Sequence, residues 1–161
     1  MARILIVEDS PTQAEQLRFI LEEEGHEVDH AADGRIAVAR FAEAPYSVVI
    51  SDIMMPNMTG YEFCREIKKT QKGRETPVIL LSTLSDPMDI IRGLECGADN
   101  FVTKPYEPEQ LLARVKTVLQ NREMRGGMGK VSFGVEVMFL GKTFVISSEK
   151  EQILVLLIAT F

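Results

Sequence analysis

The sequence predicts an α/β protein in which a five-stranded parallel sheet is doubly wound, with helices on both of its faces. Across the first 122 residues, β-rich runs alternate with helical patterns, so that a strand–helix unit repeats five times. The runs that include Ile4, Val48 and Val78 are apolar at consecutive positions. Such runs are typical of strands buried on both faces of a parallel sheet, because a strand with one face in water shows an alternating pattern.

Each predicted element is delimited by its own end signals. The strands are predicted at residues 3–7, 27–32, 47–51, 77–82 and 100–103, and the helices at residues 11–24, 34–43, 60–71, 86–96 and 107–122. Pro11 suits the first turn of a helix, and Gly25 and Gly97 suit the positions just after a helix end. The last of the five helices is amphipathic, with Leu111 and Val115 on its apolar face.

The C-terminal residues predict a second, smaller unit. Residues 1–122 form the first domain, residues 123–130 a linker, and residues 131–161 a β-hairpin followed by an apolar helix. Residues 152–161 are apolar on every side, so they must be buried, either against this chain or in a homodimer interface. We expect this unit to connect to a further module downstream.

Composition and charge exclude several classes of function. The chain has 18 Lys and Arg residues against 24 Asp and Glu residues, and this net charge of −6 argues against a nucleic-acid-binding surface. We find no signal peptide and no run of about 18 apolar residues, so we expect a cytoplasmic chain without a membrane span. We interpret Cys64 and Cys96 as small core residues, and His26 and His30 as surface or strand-edge residues.

Polar side chains follow four of the five predicted strands. The carboxyl ends of parallel strands meet at one edge of a sheet, so these side chains are expected to lie close together. They are Glu8 and Asp9 after the first strand, Asp52 after the third, Ser82 and Thr83 at the fourth, and Lys104 after the fifth.

This set of residues suits phosphoryl chemistry on a carboxylate. Three carboxylates close together repel one another unless a cation lies among them, and an oxygen-only cluster favours Mg²⁺. A carboxylate beside Mg²⁺ and the ammonium of Lys104 can attack a phosphoryl group and form an aspartyl phosphate. Asp52 is the best candidate nucleophile, because a turn-rich loop follows it and leaves it exposed. The hydroxyl of Ser82 or of Thr83 can donate to a phosphoryl oxygen.

The motifs that carry these residues resemble those of the receiver domains of two-component response regulators. The matching segments are ILIVEDS at 4–10, SDIMMPNMTG at 51–60, PVILLS at 77–82 and GLECGADNFVTKPY at 93–106. The resemblance covers residues 1–122 and implies a flavodoxin-like receiver fold with a role in two-component signal transduction. The hairpin and helix beyond it resemble the joint that follows an N-terminal receiver in some hybrid histidine kinases.

The resemblance implies a phosphoryl-acceptor site. In that site Asp52 accepts a phosphoryl group from the phosphohistidine of a histidine kinase or phosphotransfer protein. Lys104, which precedes a cis peptide bond to Pro105, contacts the phosphoryl group. Mg²⁺ is the cofactor: Asp9, Asp52 and the backbone carbonyl of Met54 bind it directly, and Glu8 assists through water.

The resemblance also implies a conformational switch. Ser82 moves toward the phosphoryl group, and Phe101 turns into the space that Ser82 leaves. This movement reshapes the face made by the fourth predicted helix, the fifth strand and the fifth helix. Thr83 stands where the family usually has a smaller residue, so Ser82 and Thr83 both remain candidates for the switch hydroxyl.

Three classes of function follow from these residues. The first is a phosphorylation-operated switch module, which is not an enzyme. The second is an Mg²⁺-dependent phosphohydrolase with an aspartate nucleophile, although the position two after Asp52 is Met54, which cannot act as a general acid. The third is an interaction scaffold with the receiver fold that works without phosphorylation.

Overall fold

The computed structural model describes residues 2–83, 87–128, 135–139 and 142–146. The elements alternate along the chain, and all five predicted strands and all five predicted helices are present. They are β1 (Arg3–Val7), α1 (Pro11–Glu23), β2 (Glu27–Ala31), α2 (Gly34–Glu43), β3 (Val48–Asp52), α3 (Gly60–Lys68), α4 (Gln71–Glu75), β4 (Val78–Ser82), α5 (Pro87–Glu95), β5 (Asn100–Thr103), α6 (Pro108–Met128), β6 (Val135–Phe139) and β7 (Lys142–Ile146). None of the helices in the described ranges has the length and apolar character needed to cross a membrane.

The strands form a single sheet in the order β2-β1-β3-β4-β5-β6-β7. Strands β1 to β5 run parallel to their neighbours, which confirms the predicted five-stranded parallel sheet. The chain winds to one side of β1 to reach β2 and to the other side to reach β3. In sheets of this kind, functional groups collect beyond the carboxyl ends of the strands at this reversal, here the ends of β1 and β3.

The predicted hairpin is present as β6 and β7, and it adds two strands to the sheet. Strand β6 pairs in parallel with β5, with Val137 opposite Phe101, and β7 pairs antiparallel with β6. The predicted helix at residues 152–161 lies outside the described residues.

Two predicted boundaries are wrong. Helix α6 continues to Met128, through most of the predicted linker at residues 123–130. The residues before the glycines are good helix formers, and each glycine costs a helix only about 1 kcal/mol relative to alanine. The predicted helix at residues 60–71 ends at Lys68, and α4 begins at Gln71. Thr70 causes this break, since its Oγ1 donates to the Ile67 carbonyl at 2.7 Å and accepts from the Gly73 N–H at 2.9 Å.

Apolar side chains alternate between the two faces of the sheet and form two cores. On one face Leu5 packs in a cluster with Phe63 of α3. On the other face Ile4 packs in a cluster with Leu17 of α1 and Leu111 of α6. This arrangement buries the consecutive apolar residues of the central strands, as the sequence pattern predicts.

Cys64 and Cys96 are free thiols in the first of these cores, which confirms their interpretation as core residues. The Sγ of Cys64 donates to the carbonyl of Cys96 at 3.4 Å. Its contact with Cys96 and its burial both raise the pKa of the Cys64 thiol, so the thiolate is disfavoured.

An ion pair between Lys68 and Asp99 holds α3 against the amino ends of β4 and β5. Lys68 Nζ lies 3.1 Å from Asp99 Oδ2 and donates to the carbonyl of Thr76 at 2.6 Å. Asp99 Oδ2 also accepts from the backbone N–H of Val78 at 2.8 Å. Both charged side chains are largely buried, at 13% and 17% exposure, so this contact joins three elements in a region of low dielectric.

Replacement of the buried cation should destabilise the fold. Lys68→Met should lower the free energy of unfolding by about 2 kcal/mol, because the Asp99 carboxylate keeps its burial and loses the charge that compensates it. Urea-induced unfolding measures this difference. Lys69→Met is a matched control, since Lys69 pairs with Glu66 at the surface, and the change should stay within about 0.5 kcal/mol. Equal losses in the two variants would contradict the role of the buried pair.

Candidate functional site

The candidate site lies at the carboxyl edge of the sheet, where four strands end. Glu8 and Asp9 follow β1, Asp52 ends β3, Ser82 ends β4, and Lys104 follows β5. The register brings these ends level, since Val7 lies opposite Ser51 and Ser82 lies opposite Thr103. All the residues that the sequence predicts for this edge are therefore placed at it.

Three of these residues form an acidic cluster. One carboxylate oxygen from each of Glu8, Asp9 and Asp52 lies within 4.8 Å of the other two. Glu8 is buried and Asp9 is exposed, so the cluster extends from the sheet edge into solvent. Ligands that are oxygen atoms only, with net negative charge, suit a hard divalent cation such as Mg²⁺. The residues present thus fit the ion that the sequence predicts.

Lys104 supplies the positive charge beside this cluster. Its Nζ lies 3.2 Å from Glu8 Oε2 and 3.3 Å from Asp52 Oδ1. It also donates to Gln13 Oε1 at 2.7 Å. The backbone N–H of Lys104 donates to the carbonyl of Ser82 at 2.8 Å, and the Lys104–Pro105 peptide bond is cis, as predicted. Hydrogen bonds of both its backbone and its side chain therefore hold Lys104 at the sheet edge.

Glu8 is fixed by contacts on its backbone and its carboxylate. Its N–H donates to the carbonyl of Ala31 at 3.1 Å, and its own carbonyl accepts from His30 Nε2 at 2.8 Å. Glu8 Oε1 accepts from the N–H of Ser10 at 3.1 Å. Burial raises the pKa of Glu8 and the charge of Asp52 raises it further, while the Ser10 N–H and Lys104 lower it.

Sequence reasoning missed the contribution of two residues to this site. His30 was interpreted as a strand-edge residue, yet its ring holds the backbone of Glu8, and Gln13 was not singled out at all. His30 lies on β2 opposite Ile6, and Ile6 stands two residues before Glu8. This contact joins two strands, so the pattern of either strand alone does not show it. The sequence carries no signal for Gln13 either.

The loop after Asp52 depends on a close backbone approach. Asp52 Oδ1 accepts from the N–H of Ile53 at 3.0 Å, and the N–H of Gly60 donates to the carbonyl of Ile53 at 2.8 Å. A Cβ atom at Gly60 would lie 2.3 Å from the Asp52 carbonyl oxygen, so only glycine fits here. Met54 lies in this loop with its side chain 61% exposed, two residues after Asp52.

The predicted switch residues occupy different environments. Ser82 is buried at the end of β4, whereas Thr83 is exposed. Phe101 is buried in β5 with its ring against α5, and a Cβ atom at Gly93 would lie 2.1 Å from that ring. The inward ring of Phe101 therefore requires a glycine on the facing helix.

An open groove of about 720 Å³ lies beside Lys104, between α1 and the loop that joins β5 to α6. Phe19 lines this groove with 64% of its surface exposed. The lining residues are Gln13, Gln16, Phe19, Ile20, Thr83, Lys104, Pro105, Tyr106 and Pro108.

Comparison with known proteins agrees with this geometry. Residues 4–116 match the family model described as the response regulator receiver domain. The chain is similar to the response regulator ArlR of Staphylococcus saprophyticus, at 36% identity over 125 residues, and to the sensory transduction protein RegX3 of Mycobacterium bovis, at 39% identity over 127 residues. These alignments cover 78% and 79% of this chain, but the chain spans only 56% and 53% of the length of those relatives.

Two solved receiver domains are also similar to the chain. One belongs to a signal transduction histidine kinase from Syntrophus aciditrophicus, with 46% identity, a TM-score of 0.70, and coverage of 81% of this chain and 95% of that one. The other belongs to a sensor histidine kinase from Pseudomonas aeruginosa, with 28% identity, a TM-score of 0.70, and coverage of 74% and 97%. That second structure has a magnesium ion coordinated in its active site cleft.

The charges of the cluster can be measured through Tyr106. Burial raises the pKa of Tyr106, and the nearby charges of Glu8 and Asp52 raise it further. Asp52→Asn should therefore lower this pKa toward its ordinary value. The raised pKa favours the folded state below the ordinary tyrosine pKa, and this stabilisation is lost as pH rises through the folded value.

Tyrosinate absorbance during a pH titration measures this shift, since the chain has no tryptophan to obscure it. Tyr106→Phe assigns the titration step, and Glu15→Gln, at an exposed position of α1, should leave the step in place. An unchanged pKa in Asp52→Asn would contradict the electrostatic coupling of Tyr106 to the cluster.

Proposed function

The chain belongs to the response regulator receiver domain family of two-component systems, and from this premise we propose that it is a phosphorylation-operated switch whose acceptor is Asp52. The donor is the phosphohistidine of a histidine kinase or of a phosphotransfer protein. One observation carries the proposal: the Asp52 carboxylate, with 13% of its side chain exposed, lies both in the acidic cluster and 3.3 Å from the Lys104 ammonium.

The transfer reaction follows from these contacts. A carboxylate oxygen of Asp52 attacks the phosphorus atom of the phosphohistidine, the P–N bond breaks, and the electron pair leaves with the imidazole nitrogen, which takes up a proton. The product is an aspartyl phosphate. Lys104 balances the charge of the phosphoryl oxygens through its ammonium, which already lies beside Asp52.

Asp9, Asp52 and the backbone carbonyl of Met54 would hold Mg²⁺, with Glu8 bound through water. When bound, the ion neutralises negative charge on the phosphoryl oxygens during transfer. The oxygen-only cluster supports this assignment, as does the magnesium ion in the similar receiver domain from Pseudomonas aeruginosa. The carboxylates of Glu8 and Asp52 also hold Lys104 in position beside the cluster.

The switch would run through Ser82 and Phe101. Ser82 ends β4, the strand that pairs with the strand of Asp52, and its carbonyl accepts the N–H of Lys104. This position at the edge of the site supports Ser82 as the residue that would contact the phosphoryl group. Burial of Ser82 and exposure of Thr83 favour Ser82 as the switch hydroxyl. Movement of Ser82 and rotation of Phe101 would alter the face of α5, β5 and α6.

The donor would enter over the groove beside Lys104. This groove joins an apolar wall, which includes the exposed Phe19, to the ammonium of the site. A helix that carries a phosphohistidine could bury this apolar surface while its imidazole reaches Asp52. Histidine kinases are the partners of response regulators, which supports a donor of this class.

We propose a receiver at residues 1–122 and a connector at 131–161 that leads to a further module; the greater length of the relatives supports this division. Homodimerisation through the C-terminal helix and a cytoplasmic location remain predictions. The phosphohydrolase alternative is disfavoured because Met54 offers no general acid, and the scaffold alternative because the acidic set is complete.

The acceptor can be tested with a small donor. Incubation with Mg²⁺ and acetyl phosphate should add one phosphoryl group, which intact-mass measurement detects and hydroxylamine removes, as expected for an acyl phosphate. Asp52→Asn should abolish the adduct. Asp9→Asn should keep the acceptor but slow the labelling, since it removes a carboxylate of the cluster. Labelling of Asp52→Asn equal to that of the wild type would refute the assignment.

The metal site can be tested by its effect on stability. Mg²⁺ at ten times its Kd should stabilise the fold by about 1.4 kcal/mol. The Tm in Mg²⁺ should therefore be higher than the Tm in a NaCl solution of the same ionic strength. Asp52→Asn should raise the Tm without Mg²⁺, because it removes repulsion within the cluster, and should weaken the response to Mg²⁺. A wild-type Tm that does not change when Mg²⁺ is added would contradict the proposed metal site.

A further inference from the structure

We infer that Gln13 is a positioning residue for phosphoryl transfer, which holds the Lys104 ammonium in place beside Asp52. This inference rests on the proposed function of Asp52 as phosphoryl acceptor. Gln13 is an exposed residue of α1, far from Lys104 in sequence, and the fold brings their side chains into contact.

The Lys104 ammonium contacts three oxygen atoms of the described residues. It donates to Gln13 Oε1 at 2.7 Å and to Glu8 Oε2 at 3.2 Å, and it forms an ion pair with Asp52 Oδ1 at 3.3 Å. The contact with Gln13 is the shortest. A lysine ammonium carries three donors, so two are taken by Gln13 and Glu8, and one remains for the phosphoryl oxygens that arrive at Asp52.

The neutral amide of Gln13 suits this role better than a charge would. Glu8 and Asp52 attract the ammonium by charge, and an attraction of this kind fixes distance more than direction. An amide oxygen adds a directional hydrogen bond without a further negative charge in the path of an anionic phosphoryl group. The ammonium therefore keeps its full charge for the transferred group and is held in one orientation.

Gln13 is also placed where it can act without supporting the fold. Its side chain is exposed on α1, and the helix is capped through its backbone, since the N–H of Gln13 donates to Ser10 Oγ at 3.4 Å. Substitution of its side chain leaves that cap in place. Methionine has a similar length and a similar helix propensity, but it lacks a strong acceptor, so Gln13→Met removes the contact with Lys104 alone.

The first measurement is the rate of labelling by acetyl phosphate at saturating Mg²⁺. In Gln13→Met this rate should fall about tenfold, the size expected when a charged donor loses a hydrogen bond that orients it in the transition state. The Kd for Mg²⁺, measured by calorimetry, should stay within about twofold, and the Tm should not change. Gln120→Met makes the same substitution at an exposed position of α6 and should behave as the wild type in all three.

The second measurement observes the lysine directly. The ¹⁵N signal of the Lys104 ammonium, assigned by its loss in Lys104→Met, should be visible in the wild type because the hydrogen-bonded protons exchange slowly with water. Gln13→Met should broaden this signal by releasing one proton, and Gln120→Met should leave it unchanged. A purely structural role for Gln13 would alter Tm and leave this signal as it is.

The outcomes separate the inference from the function on which it rests. Absence of labelling in the wild type would overturn the proposed function. Labelling of the wild type with an equal rate in Gln13→Met would overturn the inference and leave the proposed function intact. A rate and an Mg²⁺ affinity that fall by the same factor would also overturn it, since the effect would then arise in the metal site.

Discussion

The crowding of three carboxylates at one edge of the sheet is the constraint on which the rest of the site depends. Glu8, Asp9 and Asp52 have oxygens within 4.8 Å of one another, and burial of Glu8 makes its charge still more costly. Among the described residues, the ammonium of Lys104 offsets this repulsion from one side. The arrangement is unfavourable by itself, and a bound divalent cation, as proposed for this site, would relieve the remaining repulsion.

The fold places a stabilising ion pair and the candidate functional site at opposite edges of the sheet. The ion pair of Lys68 with Asp99 is compensated, largely buried, and located at the amino ends of β4 and β5. The acidic cluster is under-compensated, partly exposed, and located at the carboxyl ends of β1 and β3. Parallel strands make this separation possible, because all their amino ends lie on one edge and all their carboxyl ends on the other.

The sequence predicts the strands and the residues at their carboxyl ends, but it does not predict the contacts between elements. The strand ends were found because buried strands are apolar at consecutive positions and polar residues follow them directly, as Asp52 follows Ile50 and Ser51. Three features were not found. The break at Thr70 depends on a side-chain hydroxyl that competes for backbone partners. The length of α6 depends on glycines that this helix tolerates. The roles of His30 and Gln13 depend on contacts between elements. The hydrophobic periodicity of a sequence describes one helix or strand at a time, so contacts between elements, such as those of His30 and Gln13, leave no periodic pattern.

The hairpin of β6 and β7 has a consequence for how other chains can approach. A sheet that ended at β5 would present the backbone N–H and C=O groups of Asn100–Thr103 as an unpaired border, open to strand addition. Here β6 pairs in parallel with β5, the strand of Phe101, and β7 pairs with β6. The unpaired edge on this side of the sheet therefore belongs to β7. Within the described residues, a partner that recognises a strand border would meet β2 or β7, and the strand that carries Phe101 would be sensed through its side chains and the helices beside it.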